Sequence, residues 1–244
     1  MQTRIPSLVA AVALLLAPAI LRAQTATPTI PVGDISTSQT TVKGGTYPQL
    51  TWTVTVPQTI TDVITVTPPG TITPKRNLRM DVRLLGASVW AQAFNSLGQP
   101  TSGWYVPTEA LVSVGSSAYN RFWYDIHTNI NPNTVVYSQN VTANTPINFA
   151  GRYWWYGAWS TLFNSTNAAG QVVALVNGST PPTSTPLYLQ PTIESFILPY
   201  LDSQGKIKLG PRDVIYLIEL THTDKNNPGW DLQDLAFLVT FTEI

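Results

Sequence analysis

Val214, Tyr216, Ile218 and Leu220 alternate with Ile215, Leu217, Glu219 and Thr221, and Leu235, Phe237, Val239 and Phe241 alternate with Ala236, Leu238, Thr240 and Thr242. Side chains two apart share one face of a strand, so both stretches read as β-structure. Apolar residues on both faces predict strands near the centre of a sheet, covered on each side. Leu50, Trp52, Val54 and Val56 alternate with Thr51, Thr53 and Thr55, which predicts a strand with one wet face. Leu78, Met80, Val82 and Leu84 alternate with Arg79, Asp81 and Arg83, a half-buried strand with a charged solvent face.

Further strands are expected over 60–67, 89–94, 111–114, 122–126, 135–138, 172–176, 187–189 and 193–198, with a turn-rich loop over 95–103. A short helix is the alternative near 158–163 or 168–173. Helical spacing is not sustained elsewhere after the N-terminal stretch, and no repeat of fixed period is present. Charged residues are 11% of the chain, and 20 Pro, 15 Gly and 8 Trp accompany them. That mix excludes a coiled coil, a helical bundle and a charged disordered chain. The expected fold is all-β, a jelly-roll-like β-sandwich forming one domain over 49–244. Residues 24–48, rich in Thr, Pro, Gly and Ser, read as a lead-in.

Residues 1–23 read as a secretory signal peptide: Arg4 in the n-region, an apolar stretch from Leu8 to Leu21, and Ala23 at the exit. The stretch is shorter than the ~20 residues of a membrane span, and nothing later is long and apolar enough for one. Cleavage takes Arg4 and Arg22 from 13 bases and leaves 13 acids, a net charge of −2. Lys75, Arg76, Arg79 and Arg83 cluster, but this balance does not predict nucleic-acid binding. Cysteine is absent, so the core must hold the fold without disulfides. The expected location is secreted, periplasmic or at the cell surface, in a bacterium, with a surface polymer or protein as partner.

The segment between the last two predicted strands carries Asp224, Asn226, Asp231 and Asp234, with Glu219 just before it. Oxygen-bearing side chains on a turn-rich loop are what Ca²⁺ requires, since it takes 6–8 oxygens in adaptable geometry. Glu219, Asp224, Asn226, Asp231 and Asp234 are therefore the candidate calcium ligands. The EF-hand spacing is not met, because Pro228 and Leu235 fall at ligand positions. The alternative is a polar hairpin loop in which Asp and Asn cap turns. Glu219, the Gly229 turn and the run Asp231-Leu-Gln-Asp234-Leu-Ala-Phe237 resemble the C-terminal signature of a domain of unknown function in bacterial exported and surface proteins. Asp231, Asp234, Leu235 and Phe237 lie on that pattern; Leu232 departs from an acidic or aromatic position and Gln233 replaces Asn. The resemblance implies an exported β-sandwich with a Ca²⁺ loop and no enzymatic activity.

No catalytic constellation stands out. The two histidines, His127 and His222, each lie two residues from an acid, Asp125 and Asp224, a spacing that chelates metal only if the pairs meet. Gly115-Ser116-Ser117 lacks a nucleophile elbow, and Glu109, Glu194, Glu219 and Glu243 sit in no glycosidase motif. The expectation is a binding or structural protein.

The densest aromatic run is Tyr153-Trp154-Trp155-Tyr156, with Trp159 after the turn. On a strand, Tyr153 and Trp155 face one way, and Trp154 and Tyr156 the other. If one set is exposed, its rings offer a carbohydrate-binding surface; the alternative is burial of both.

Overall fold

The computed structural model describes residues 63–168, 170–183, 188 and 190–244, all within the compact unit Gln58–Ile244. The expected signal peptide (1–23), the lead-in (24–48) and the strand over 50–56 lie outside the described residues, as do residues 187 and 189.

One sheet runs in the order β1 (Ile64–Thr67), β2 (Thr71–Pro74), β9 (Ile147–Trp155), β6 (Thr108–Val114) and β7 (Asn120–Asp125), with β10 (Ala158–Trp159) and β11 (Phe163–Asn164) also paired to β9. The second has the order β12 (Val172–Leu175), β13 (Asp213–Ile218), β14 (Leu235–Glu243), β3 (Leu78–Gly86) and β8 (Tyr137–Val141). A separate hairpin joins β4 (Trp90–Phe94) to β5 (Pro100–Tyr105). All pairings are antiparallel.

The two large sheets pack face to face over one apolar core. Phe149 of β9 meets Tyr216 of β13 at 4.9 Å and Phe237 of β14 at 5.2 Å between ring centroids. Phe122 of β7 reaches Phe237 edge-on at 5.9 Å. Aromatic side chains of this size each bury on the order of 150–250 Å² and dominate such a core. Gly151 leaves room for the facing sheet: a Cβ there would lie 2.7 Å from Leu235 Cδ2.

β13 and β14 are interior strands, as their two apolar faces predict. Their second face, with Ile215, Leu217 and Leu238, packs under a short helix, α1 (Ile193–Ile197), whose Ile193, Phe196 and Ile197 are buried. This corrects the expectation of a strand over 193–198. Ile193, Phe196 and Ile197 follow the i, i+3, i+4 spacing of a helical face, and the Thr192 hydroxyl caps the start by accepting the Ser195 N–H at 3.2 Å. Two further differences stand out. The end of the expected loop over 95–103 is the beginning of β5, and the regions 158–163 and 168–173 carry β10, β11 and part of β12 rather than helix. β3 matches its alternation: Leu78, Met80, Val82 and Leu84 are buried while Arg79 is exposed. Among the described residues no helix is long and apolar enough to cross a membrane.

Candidate ligand-binding site

A cleft opens where the β4–β5 hairpin, the end of β9 and the loops flanking β13 and β14 come together. Its wider part, about 200 Å³, is lined by Trp90, Gln92, Tyr153, Trp155 and Thr221. A narrower end of about 90 Å³ shares Trp90 and Thr221 and adds Tyr188, Gln190, His222, Asp231 and Asp234. One end is thus walled by rings and the other floored by carboxyl groups.

The aromatic walls follow from strand alternation. Tyr153 and Trp155 leave β9 on the cleft side, and the Trp155 indole lies nearly parallel to that of Trp104 on β5, at 6.5 Å and 11°. Trp104 and Trp155 remain 45% and 38% exposed; Trp155 lines the wider part of the cleft, and Trp104 stacks on Trp155. Trp90 is held edge-on against Tyr105 at 4.9 Å. Its indole lies over Gly103, where a Cβ would fall 2.2 Å from Trp90 Cζ2; only glycine leaves that space. Tyr156 is 87% exposed at the turn after β9, with φ of 45°, and packs edge-on against Trp155 at 4.6 Å.

Trp154 and Trp159 belong to the opposite face of the sheet. They meet each other edge-on at 5.0 Å, Tyr124 meets Trp159 edge-on at 5.7 Å, and Arg121 and Arg152 lie over the Trp159 ring. Both guanidinium groups bind the fully buried Glu109 carboxylate. The five aromatic residues singled out in the sequence therefore divide: Tyr153 and Trp155 line the cleft, Tyr156 stands at the turn beside it, and Trp154 and Trp159 form a cation–aromatic stack behind.

The acidic residues divide as well. Glu219, Asp231 and Asp234 converge, whereas Asp224 and Asn226 form an exposed turn, with Asp224 Oδ1 accepting the Asn226 N–H at 2.9 Å. Glu219 is fully buried, and its oxygens accept five donors. Oε1 receives the Thr221 N–H (3.0 Å), the Thr221 hydroxyl (2.7 Å) and the His222 N–H (2.9 Å). Oε2 receives the N–H groups of Asp231 (2.9 Å) and Leu232 (3.1 Å). Those bonds hold Leu232 in the left-handed region, φ 57°, with its side chain in the core. Asp234 Oδ2 accepts the N–H groups of Leu220 (2.7 Å) and Thr221 (3.1 Å).

Burial, and then the charge of Glu219, pushes the Asp231 carboxyl up to about 7. Burial and the charges of Glu219 and Asp231 also hold the Asp234 carboxyl far above the ordinary carboxylate range, and its side chain hydrogen-bonds Glu219. The Tyr153 hydroxyl is raised by burial and by the charges of Asp234 and Glu219, so the ring wall and the acidic floor share one electrostatic field.

Each histidine has contacts of its own. His127 lies between Tyr105 (4.9 Å) and Phe196 (5.3 Å), with Nδ1 facing the Ala87 N–H at 3.4 Å, and burial lowers its basicity. His222 packs on Gly229, where a Cβ would stand 2.5 Å from its Cε1, and Nδ1 contacts the Thr221 hydroxyl at 2.8 Å. Trp90, Gln92, Tyr188 and Gln190 carry no sequence signal that marks them as site residues. They lie on a hairpin and a loop with no motif, and only the fold brings them to the cleft.

No family model, curated protein or solved structure matches this chain.

Proposed function

We propose that this protein is an exported, non-enzymatic β-sandwich that binds carbohydrate in the cleft between Trp90, Trp104, Tyr153 and Trp155. The observation that carries the reading is the pair of half-exposed, near-parallel indoles of Trp104 and Trp155 at the mouth of a cleft with polar groups at its far end. Sugar rings present apolar C–H faces that stack on indoles and hydroxyls that need hydrogen-bond partners, and the cleft offers both. Gln92 and Thr221 supply the polar side chains. A glycan array tests it: binding that falls at least tenfold in Trp155→Ala and in Trp104→Ala, but not in Trp154→Ala, is expected. Binding retained in the first two variants, or no binding to any glycan, overturns it.

The convergence of Glu219, Asp231 and Asp234 favours a second reading, a calcium-supported loop in a structural or adhesive surface protein. It ranks below the first because Glu219 is already saturated by five donors. Among the described residues, moreover, no three His, Cys, Asp or Glu side chains are disposed as a metal shell, so backbone and amide oxygens would have to supply most of the sphere. A melting temperature that rises on adding Ca²⁺ and falls with chelator supports this reading; an unchanged one removes it.

A further inference from the structure

We propose that the narrow acidic end of the cleft receives the ammonium group of an amino sugar, so that the preferred glycan is a glucosamine oligomer; the proposal rests on the carbohydrate reading above. The end is small, about 90 Å³, enough for one charged head rather than a sugar ring. An ammonium group brings hydrogen-bond donors and no acceptor. The walls offer the complement. Gln190 Oε1 is buried without a partner, while the amide is anchored by its Nε2 donating to Asp231 Oδ2 at 3.2 Å. A buried acceptor left unpaired costs stability unless a ligand or water completes it. Gln233, fully buried in the same loop, also has both amide atoms unpartnered, so this region carries more hydrogen-bonding capacity than its own residues use.

Charge points the same way. The ion pairs of Arg76, Arg79, Arg121, Arg152 and Arg212 go to Glu243, Asp81 and Glu109, away from the cleft. Among the residues lining the narrow end the base is His222, with Nδ1 3.8 Å from Glu219, and Lys225 of the same loop lies over the Trp230 ring at 5.6 Å. Burial, and after it the repulsion from Glu219, favours the protonated form of Asp231 and Asp234 at this end. A bound cation relieves that repulsion, and Asp231 then ionises to face it. Trp90 and Tyr188 line the same end, and aromatic rings of this kind attract a cation that reaches their faces. An N-acetyl group is neutral and larger, brings a single N–H donor and adds an acceptor, so it is poorly matched to this end.

The test is calorimetric titration of the full chain with a glucosamine tetramer and with its fully N-acetylated counterpart, at a pH where the free amines are charged. The glucosamine tetramer is expected to bind at least tenfold more tightly. Asp231→Asn and, separately, Gln190→Leu are expected to erase that preference while leaving the N-acetylated tetramer unaffected; Gln190→Leu guards against a folding defect in the first variant. Equal affinity for the two tetramers, or a preference that survives both substitutions, overturns the inference and leaves the carbohydrate reading standing. Binding of neither tetramer, nor of any glycan on an array, overturns both.

Discussion

Oε2 of Glu219 accepts the backbone N–H of Asp231 at 2.9 Å, across a span of 12 residues. One buried carboxylate thereby ties the end of β13 to the start of β14 and sets the floor of the cleft. The consequence is that the acidic residues of this loop act unequally. Glu219 is a structural clasp; Asp231 and Asp234 face the cleft with protons to lose.

Removing the clasp has a clear cost. Glu219→Ala leaves the N–H groups of His222, Asp231 and Leu232 and the Thr221 hydroxyl without this acceptor, while the Thr221 N–H keeps Asp234 Oδ2. A loss of about 3 kcal/mol or more is expected, since hydrogen bonds to a charged group each contribute ~1.5–3 kcal/mol. Urea unfolding followed by near-ultraviolet dichroism measures it. A change under about 1 kcal/mol would show that the loop is held by other means.

Stability is expected to depend on pH through Asp231. Its carboxyl lies at about 7 in the folded chain against an ordinary 3.8, so the folded state holds the extra proton between those values. Stability from this group is full below about pH 4 and is lost as pH rises through about 7. Asp234, whose carboxyl burial also holds well above the ordinary range, contributes in the same direction. Asp231→Asn keeps a neutral side chain at every pH. The stability difference between the variant and the natural protein should therefore grow in the variant's favour from pH 4 to 7, by on the order of 2–4 kcal/mol. Parallel pH profiles for the two proteins would refute the assignment.

Gly103 tests the cleft wall without touching a ligand contact. Gly103→Ala places a methyl group 2.2 Å from Trp90 Cζ2, so the indole must move. Glycan affinity is expected to fall at least fivefold, with a modest loss of stability, about 1–3 kcal/mol, as in other overpacked sites. Unchanged binding would place Trp90 outside the recognition surface.

The opposite face supplies the control. Glu109 is fully buried between Arg121 and Arg152, and its replacement by Gln leaves two guanidinium groups without their shared carboxylate. Glu109→Gln is expected to lower the melting temperature but not the glycan affinity of the folded fraction, and Trp159→Ala is expected to do the same. A loss of binding without a loss of stability would move the site to that face.

Much of the architecture is legible in the sequence because strand alternation is a local signal. β3, β13 and β14 carry their burial pattern in their own residues, and the double apolar character of β13 and β14 announces a cover on each side. What provides the second cover is not legible: α1 is only five residues long, too short for its Ile193, Phe196 and Ile197 spacing to stand apart from a strand. β5 escapes because Pro100, Thr101, Ser102 and Gly103 read as turn residues, although that glycine is needed under Trp90. At the site, Tyr153 and Trp155 are visible in their run and the acidic cluster in its loop. The division of Trp154 and Trp159 from the cleft, and of Asp224 and Asn226 from Glu219, depends on which way the chain turns. The meeting of Trp90, Gln190 and Asp231, far apart in sequence, depends on tertiary packing alone.

The indole N–H resonances of the eight tryptophans offer the most direct test of the cleft as a carbohydrate site. On titration with the glucosamine tetramer, the signals of Trp90, Trp104 and Trp155 are expected to shift together and saturate, while those of Trp154 and Trp159 stay in place. Shifts confined to Trp154 and Trp159, or no saturable shift in any indole, would contradict the account.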